Sequence, residues 1–199
     1  MLSPTQLQTE TGSVAAALAM TPVNVMKAKS VGVILSLTVA TPAAKVFVDA
    51  DVSVANNTIT EVGHGYATGL KGALTTSGVL PAGLSATDYW IIKVDADTYK
   101  FATSAANALA GTAVDITAAA GGGNHTFTPA AISGGSYKLQ ISMDGVTYYD
   151  LTSGSNNVTV TADFQHQIID PCYNYLRVLF AVTTGQIGYT ILSLVKEEQ

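Results

Sequence analysis

The sequence predicts an all-β protein: an antiparallel β-sandwich, jelly-roll-like, interrupted by an inserted small β-barrel-like domain. Three observations carry that expectation. Residues 136–151, SYKLQISMDGVTYYDL, read as two strands folded about Asp144-Gly145, a dipeptide suited to a two-residue type I′ turn. Tyr137, Leu139, Ile141 and Met143 alternate with Lys138, Gln140, Ser142 and Asp144, the pattern of a strand with one buried face. Residues 51–130 turn to glycine, threonine and alanine, with short β-like bursts and almost no helical period. A change of character at both ends of a stretch is what insertion into a host loop leaves behind. The expected division is therefore an N-terminal arm (1–26), a discontinuous sandwich (27–50 and 131–199) and an inserted unit (51–130).

Taken in order, residues 1–13 are polar, hold Pro4 and Gly12 and lack periodicity. They read as an arm, mobile or ordered only against a neighbour. Residues 14–26 hold alanines and two methionines but are interrupted by Pro22, so a short helix and an extended edge segment both stay open. Val33, Leu35, Leu37 and Val39 share one strand face, Thr41-Pro42 ends that strand, and residues 45–50 start another. In the insert, residues 58–62 alternate as a strand, and 64–69 and 80–84 are tight connections. Residues 89–94 and 98–103 flank Asp95-Ala96-Asp97 as a hairpin. Residues 105–111 are a loop or one helical turn, and 114–117 and 125–128 close the unit across Gly121-Gly122-Gly123.

Beyond the central hairpin, Val158 and Val160 alternate with threonines. Asp170-Pro171 marks a turn, because a proline biases the residue before it away from helix. Residues 173–182 and 189–195 are the last two strands, ahead of a solvated Lys196-Glu197-Glu198-Gln199 tail.

Charged residues make up 12% of the chain, about half the usual share of roughly 25%. With 48% hydrophobic residues, the chain lacks the composition of a disordered protein. The low charge instead points to surface that ends against partners. Net charge is -5, and the cations are eight lysines and the lone Arg177 with no basic cluster, which disfavours nucleic acid as a partner. The single Cys172 excludes an intrachain disulfide framework and reads as a small buried apolar side chain. Residues 14–20 resemble a signal-peptide core, but the preceding residues contain Glu10 and no lysine or arginine. The longest strongly apolar run, 31–40, is shorter than the roughly 20 residues a bilayer needs. The expectation is a soluble, unprocessed protein from a reducing compartment, with no membrane partner.

The last strands are apolar on both faces. Leu176, Val178, Phe180 and Val182 share one side, with Tyr175, Arg177, Leu179 and Ala181 on the other. Thr190, Leu192 and Leu194 oppose Tyr189, Ile191, Ser193 and Val195. An antiparallel sandwich strand usually leaves one face to water, so a second apolar face calls for a cover, and another subunit is the preferred one. Tyr175, Arg177, Leu179, Tyr189, Ile191 and Val195 are the candidate interface. Arg177 is expected to stack on Tyr175 or pair with an acid, a structural salt bridge being the favoured form.

No residue pattern specifies a reaction. Asp49/Asp51 and Asp95/Asp97 are D-x-D pairs, but the further ligands of a calcium loop are missing and aspartate is a common turn residue. His64, His125 and His166 are far apart and follow no metal-binding spacing. Asp144, Asp150, Asp163 and Asp170 include no pair singled out as the two carboxylates of a glycosidase. Tyr89, Trp90 and Tyr99 are the candidate glycan platform, against the plainer reading that they fill the core of the small β unit. No cofactor, metal or catalytic residue is assigned.

Residues 58–111 contain TITEVGHGYATG, then LPAGL, then DYWIIKVDADTYKFATSAANALAG. This stretch resembles a β module that recurs inside tailed-bacteriophage and prophage structural proteins. The module is sometimes named after the first catalytic-cysteine half-domain (FCCH) of ubiquitin-activating enzyme; it holds no cysteine here, so no such activity follows. The flanking halves are similar to small phage β-sandwich proteins at Leu139-Gln140-Ile141-Ser142, Asp144-Gly145, residues 148–151, Tyr175-Leu176-Arg177-Val178 and Thr183-Thr184-Gly185. The resemblance implies a virion structural protein assembled in the host bacterial cytoplasm, carries over no catalytic residue, and does not fix the place on the particle. The leading expectation is a capsid-decorating or cementing homo-oligomer that contacts itself and other virion proteins, such as the major capsid protein. In that picture the arm drapes over a neighbour and the insert projects outward. The alternative is a tail, neck or fibre accessory protein whose insert binds host-surface glycan through Tyr89, Trp90 and Tyr99. An enzyme acting on cell-wall polysaccharide ranks last.

Overall fold

The computed structural model describes residues 6–26, 28–39, 41–119, 122–151, 156–157, 162–169 and 172–197. The N-terminal third begins with β1 (Gln6–Val14), β2 (Ala17–Ala19), β3 (Val23–Asn24) and β4 (Ala28–Val39). The middle holds β5 (Lys45–Phe47), β6 (Val52–Ser53), β7 (Thr58–Thr60), β8 (Lys71–Thr76), β9 (Asp88–Lys93), β10 (Thr98–Ala102), the helix α1 (Ala105–Leu109) and β11 (His125–Pro129). The last third holds β12 (Gly134–Ser142), β13 (Tyr149–Asp150), β14 (Asn156–Asn157), β15 (Ala162–Ile169), β16 (Tyr175–Thr184) and β17 (Ile187–Glu197). The protein is all-β with antiparallel pairing throughout these strands.

Two sheets face each other as a sandwich. One runs β1-β17-β4-β15; the other runs β13-β12-β16-β2, with β14 also on β12 and β3 also on β16. Period-2 patterning decides what lies between them. Val31, Val33, Leu35 and Leu37 of β4 are buried and face Tyr137, Leu139, Leu176, Val178 and Phe180 of the other sheet in one core. Burial of each such side chain contributes about 1.5–3 kcal/mol. Phe164 of β15 closes one side, its ring edge-on to Tyr137 at 5.2 Å.

Residues 6–24 are not an arm. β1 pairs with β17 along its whole length, from Gln6↔Val195 to Val14↔Ile187. The chain then crosses through buried Ala15 and Ala16, and β2 and β3 pair with β16 in the opposite sheet. Residues 6–24 therefore lace both sheets together. Gly12 permits this, because a Cβ there would lie 2.8 Å from the Tyr189 hydroxyl oxygen.

The insert folds as a seven-stranded sheet in the order β5-β11-β8-β9-β10-β7-β6. Its two outermost strands, β5 and β6, are joined by a single 3-10 turn at Asp49–Asp51. The sheet must curl until its edges almost meet, which gives a nearly closed barrel. Phe47, Tyr99, Phe101 and Phe127 fill the inside, with Tyr99 and Phe127 rings 5.4 and 5.6 Å from that of Phe101. Because β5 pairs with β11, the chain enters this lobe before Lys45 rather than at Asp51.

Several local expectations are corrected. Residues 143–148 form a six-residue connection between β12 and β13, not a two-residue type I′ turn. Gly145 has φ +76°, but Asp144 is not among the positive-φ residues, and a type I′ turn needs both. Residues 114–117 form no strand, the nearby pairing being a single bridge between Ala82 and Ala118. β8 and β15 are strands that the sequence pattern did not announce. The stretch around Val158 and Val160, and Asp170-Pro171, lie outside the described residues.

The two lobes touch at the β16–β17 hairpin. Buried Gln186 accepts a hydrogen bond from the Ala67 amide at 2.7 Å and donates one to the Gly65 carbonyl at 2.9 Å. Gly69 packs so closely on Ala16 that an added Cβ would come within 2.5 Å of it.

Candidate functional site

The candidate surface is the outer face of the β12–β16 sheet. Alternation along β16 buries Leu176, Val178 and Phe180 and turns Tyr175, Arg177 and Leu179 outward, where they are half-buried. The register sets Gln140 beside Arg177 and Lys138 beside Leu179. Arg177 Nε donates to Gln140 Oε1 at 3.0 Å, and its guanidinium carbon lies 3.5 Å from the centroid of the Tyr148 ring. The stacking partner is thus Tyr148 rather than Tyr175, and the hydrogen-bond partner is an amide rather than an acid. Gln140 Nε2 passes the chain on to Asp150 Oδ1 at 3.0 Å, and Lys138 Nζ meets Asp150 Oδ2 at 2.5 Å. The hydrogen bond from Lys138 holds the Asp150 carboxyl below its ordinary pKa.

Beside this network the 143–148 connection is pinned from within. Asp144 Oδ1 accepts from the Val146 amide (2.9 Å), the Thr147 amide (2.8 Å) and the Ser142 hydroxyl (2.9 Å). Asn174 Nδ2 donates to the Met143 carbonyl at 2.6 Å from the β16 side. The polar atoms of the tip are spent on its own shape, and the apolar side chains are left outside. Met143 is 62% exposed, Val146 82% and Tyr149 66%. Tyrosine, methionine and arginine, gathered on a fixed surface, are the residue types enriched where proteins bind one another.

The other expected interface residues lie elsewhere. Tyr189 and Ile191 are in the sandwich core, because β17 pairs Tyr189 with Leu37 and Ile191 with Leu35 and so shares their inward face. The Val195 side chain lies outside what the structure describes, although its backbone pairs with Val31 and Gln6. The outward face of β17 carries Leu192, half-buried and paired with Ile34.

The expected glycan platform does not assemble. Tyr89 and Tyr99 point into the barrel core at 4% and 0% exposure, the plainer of the two readings. Trp90 alone faces outward, with Lys71 Nζ 5.4 Å from its ring centroid and 2.8 Å from Asp88. The paired aspartates act as turn formers: Asp95 Oδ1 accepts from the Asp97 amide, and Asp51 Oδ2 accepts from the Val48 amide.

Two histidines are buried in the lobe. His64 Nδ1 accepts from the Tyr66 amide at 2.9 Å and Nε2 lies 3.1 Å from the Asp95 carbonyl, which fixes a neutral ring with its proton on Nε2. Burial holds its pKa below the usual value. His125 lies between Thr76 Oγ1 (2.8 Å) and Asp49 Oδ1 (3.3 Å). Among the described residues no group of three histidine, cysteine or acidic side chains is placed to hold a metal ion, and no helix is long and apolar enough to cross a membrane. Cys172 is exposed rather than buried.

The fold defines a class, an all-β sandwich carrying a barrel-like inserted lobe. No protein-family model matches this chain, and no curated protein matches it either.

Proposed function

We propose that this chain is a structural protein of a tailed-phage virion, a capsid decoration or cement subunit that works as a homo-oligomer. The observation that carries the reading is the pinned tip with Met143, Val146 and Tyr149 outward, backed by Leu179 and the Arg177–Tyr148 stack. Such a surface suits attachment by apolar burial: each large side chain covered contributes about 1.5–3 kcal/mol, and repeated copies on a shell multiply modest contacts into firm attachment. The likeness of residues 58–111 to a phage β module supports the virion setting. Partners in this reading are further copies of the chain and other shell proteins such as the major capsid protein. No turnover is involved.

A glycan-binding role for the lobe on a tail or fibre would rest on Trp90 alone, and loss of glycan-array binding in Trp90→Ala protein is its test. Immunogold labelling of particles produced from a genome carrying this gene separates the readings. Label over the heads is the expected result, label over tails favours the accessory role, and particles without label overturn the virion assignment.

A further inference from the structure

A cleft of about 510 Å³ opens between the sandwich and the lobe, lined on one side by Val14, Ala16, Ala17 and Leu18 and on the other by residues 65–68, Lys93 and Leu109. Its volume falls within the roughly 300–1,000 Å³ of ordinary ligand sites. Leu18 and Leu109 are 40% and 53% exposed. β2 borders the cleft as the last strand of its sheet. The Ala16 carbonyl accepts from the Val182 amide at 3.4 Å and the Met20 amide donates to the Val178 carbonyl at 2.9 Å. Residues 16, 18 and 20 therefore face β16, and the backbone groups of Ala17 and Ala19 point away from it.

Those groups have no hydrogen-bond partner among the described residues, and all three residues of β2 are exposed. Proteins usually blunt such an edge by keeping it very short or with a charge, a proline or an inward-pointing acid. β1 has the last of these in Glu10, on the side of the strand that faces Ile191; β2 is short, at three residues, but Ala17-Leu18-Ala19 carries no charge, proline or acid. Lys93, across the cleft, has no carboxylate partner among the described residues.

We propose that this cleft receives an extended polypeptide segment of another protein, which adds as a strand to β2 and sets an acidic side chain against Lys93. Main-chain hydrogen bonds to Ala17 and Ala19 supply the attachment, Leu18 and Leu109 the apolar floor, and Lys93 the preference for a carboxylate. This surface lies apart from the sheet face of the assembly reading and stands without it.

The probe is a capped octapeptide of alternating threonine and valine with one central glutamate, titrated into the isotope-labelled full chain. The amide signals of Ala17, Leu18, Ala19 and Lys93 are expected to move. A peptide with lysine in place of the glutamate should bind about two- to fivefold more weakly, as loss of one exposed ion pair implies. A third, methylated on alternate amide nitrogens, should not bind. In Lys93→Glu protein, an exposed change that spares the fold, the preference between glutamate and lysine peptides should reverse. Equal binding by the methylated peptide overturns strand addition, and an unchanged preference in the variant overturns the acidic assignment. Signals that stay fixed at millimolar peptide, or move only outside the cleft, overturn both.

Discussion

At the scale of single residues, two side chains set measurable pH behaviour. Asp144 accepts from the Thr147 and Val146 amides and the Ser142 hydroxyl, which holds its pKa down to about 2. A carboxylate whose folded pKa is depressed contributes stability above its unfolded value and loses it as pH falls through the folded one. The tip is therefore expected to stay fixed at pH 5 and to loosen between about pH 4 and 2. A carboxyl titration followed by NMR checks this; a midpoint in the ordinary range near 4 would show that the cap is not formed. His64 has the same sign for a different reason. Its folded pKa is lowered by burial, so below about 6.5 the unfolded chain takes up a proton that the folded lobe refuses. Lobe stability should decline as pH falls through that value, and the decline should be absent in His64→Gln protein. Identical pH profiles would remove His64 as the cause. The histidine spacing gave no hint of this role, because its partners are a backbone amide and carbonyl rather than a motif.

At the scale of elements, legibility followed how far a strand's own pattern decides its face. β12 announces itself, since it has one apolar row that can only point inward, and in β16 the fully apolar row of Leu176, Val178 and Phe180 is the buried one, which turns Tyr175, Arg177 and Leu179 outward. β17 is apolar on both sides, so its inward row depends on the pairing of Tyr189 with Leu37, information that lies in another strand. That is why Tyr189 and Ile191 were misassigned to an outer surface. β8 offers only Leu74 to the core and gives up a side chain at Gly72, where a Cβ would sit 2.4 Å from the Phe127 ring. β1 is a strand by virtue of its ladder to β17, and its Gln, Thr, Glu and Gly residues carry no apolar period. Its removal tests that account. With ladder hydrogen bonds worth about 1 kcal/mol each net, deletion of residues 1–13 should lower unfolding stability by several kcal/mol, a large part of the roughly 5–15 typical of a domain. A truncated protein that unfolds at the native urea midpoint would mean that β1 contributes nothing to the sandwich.

At the scale of the whole molecule, the composition change pointed to an insert but misplaced its start, since the change falls at Asp51 whereas β5 already pairs with β11 from Lys45 on. The docking of the lobes was not legible, since Gln186 reaches Gly65 and Ala67 across 121 and 119 residues of sequence and no local pattern encodes that reach. The proposed assembly surface falls between these cases. The two-sided apolar pattern of the last strands called for a cover, and the fold shows the β12–β16 face with half-buried Leu179 among the Arg177–Gln140–Asp150–Lys138 network, beside the exposed tip at Met143, Val146 and Tyr149. Val146 and Met143 are 82% and 62% exposed at the tip. Val146→Asp with Met143→Asp should therefore leave unfolding stability within about 1 kcal/mol of native, since each surface change is worth about 0.5 kcal/mol or less. The same pair places two carboxylates in a contact that has to be desolvated, which disfavours association strongly. Sedimentation velocity across a concentration series should then show native protein associating and the double variant remaining a monomer. A variant that associates as well as native would move the subunit contact off this face, and native protein that stays monomeric at every concentration would end the homo-oligomer reading.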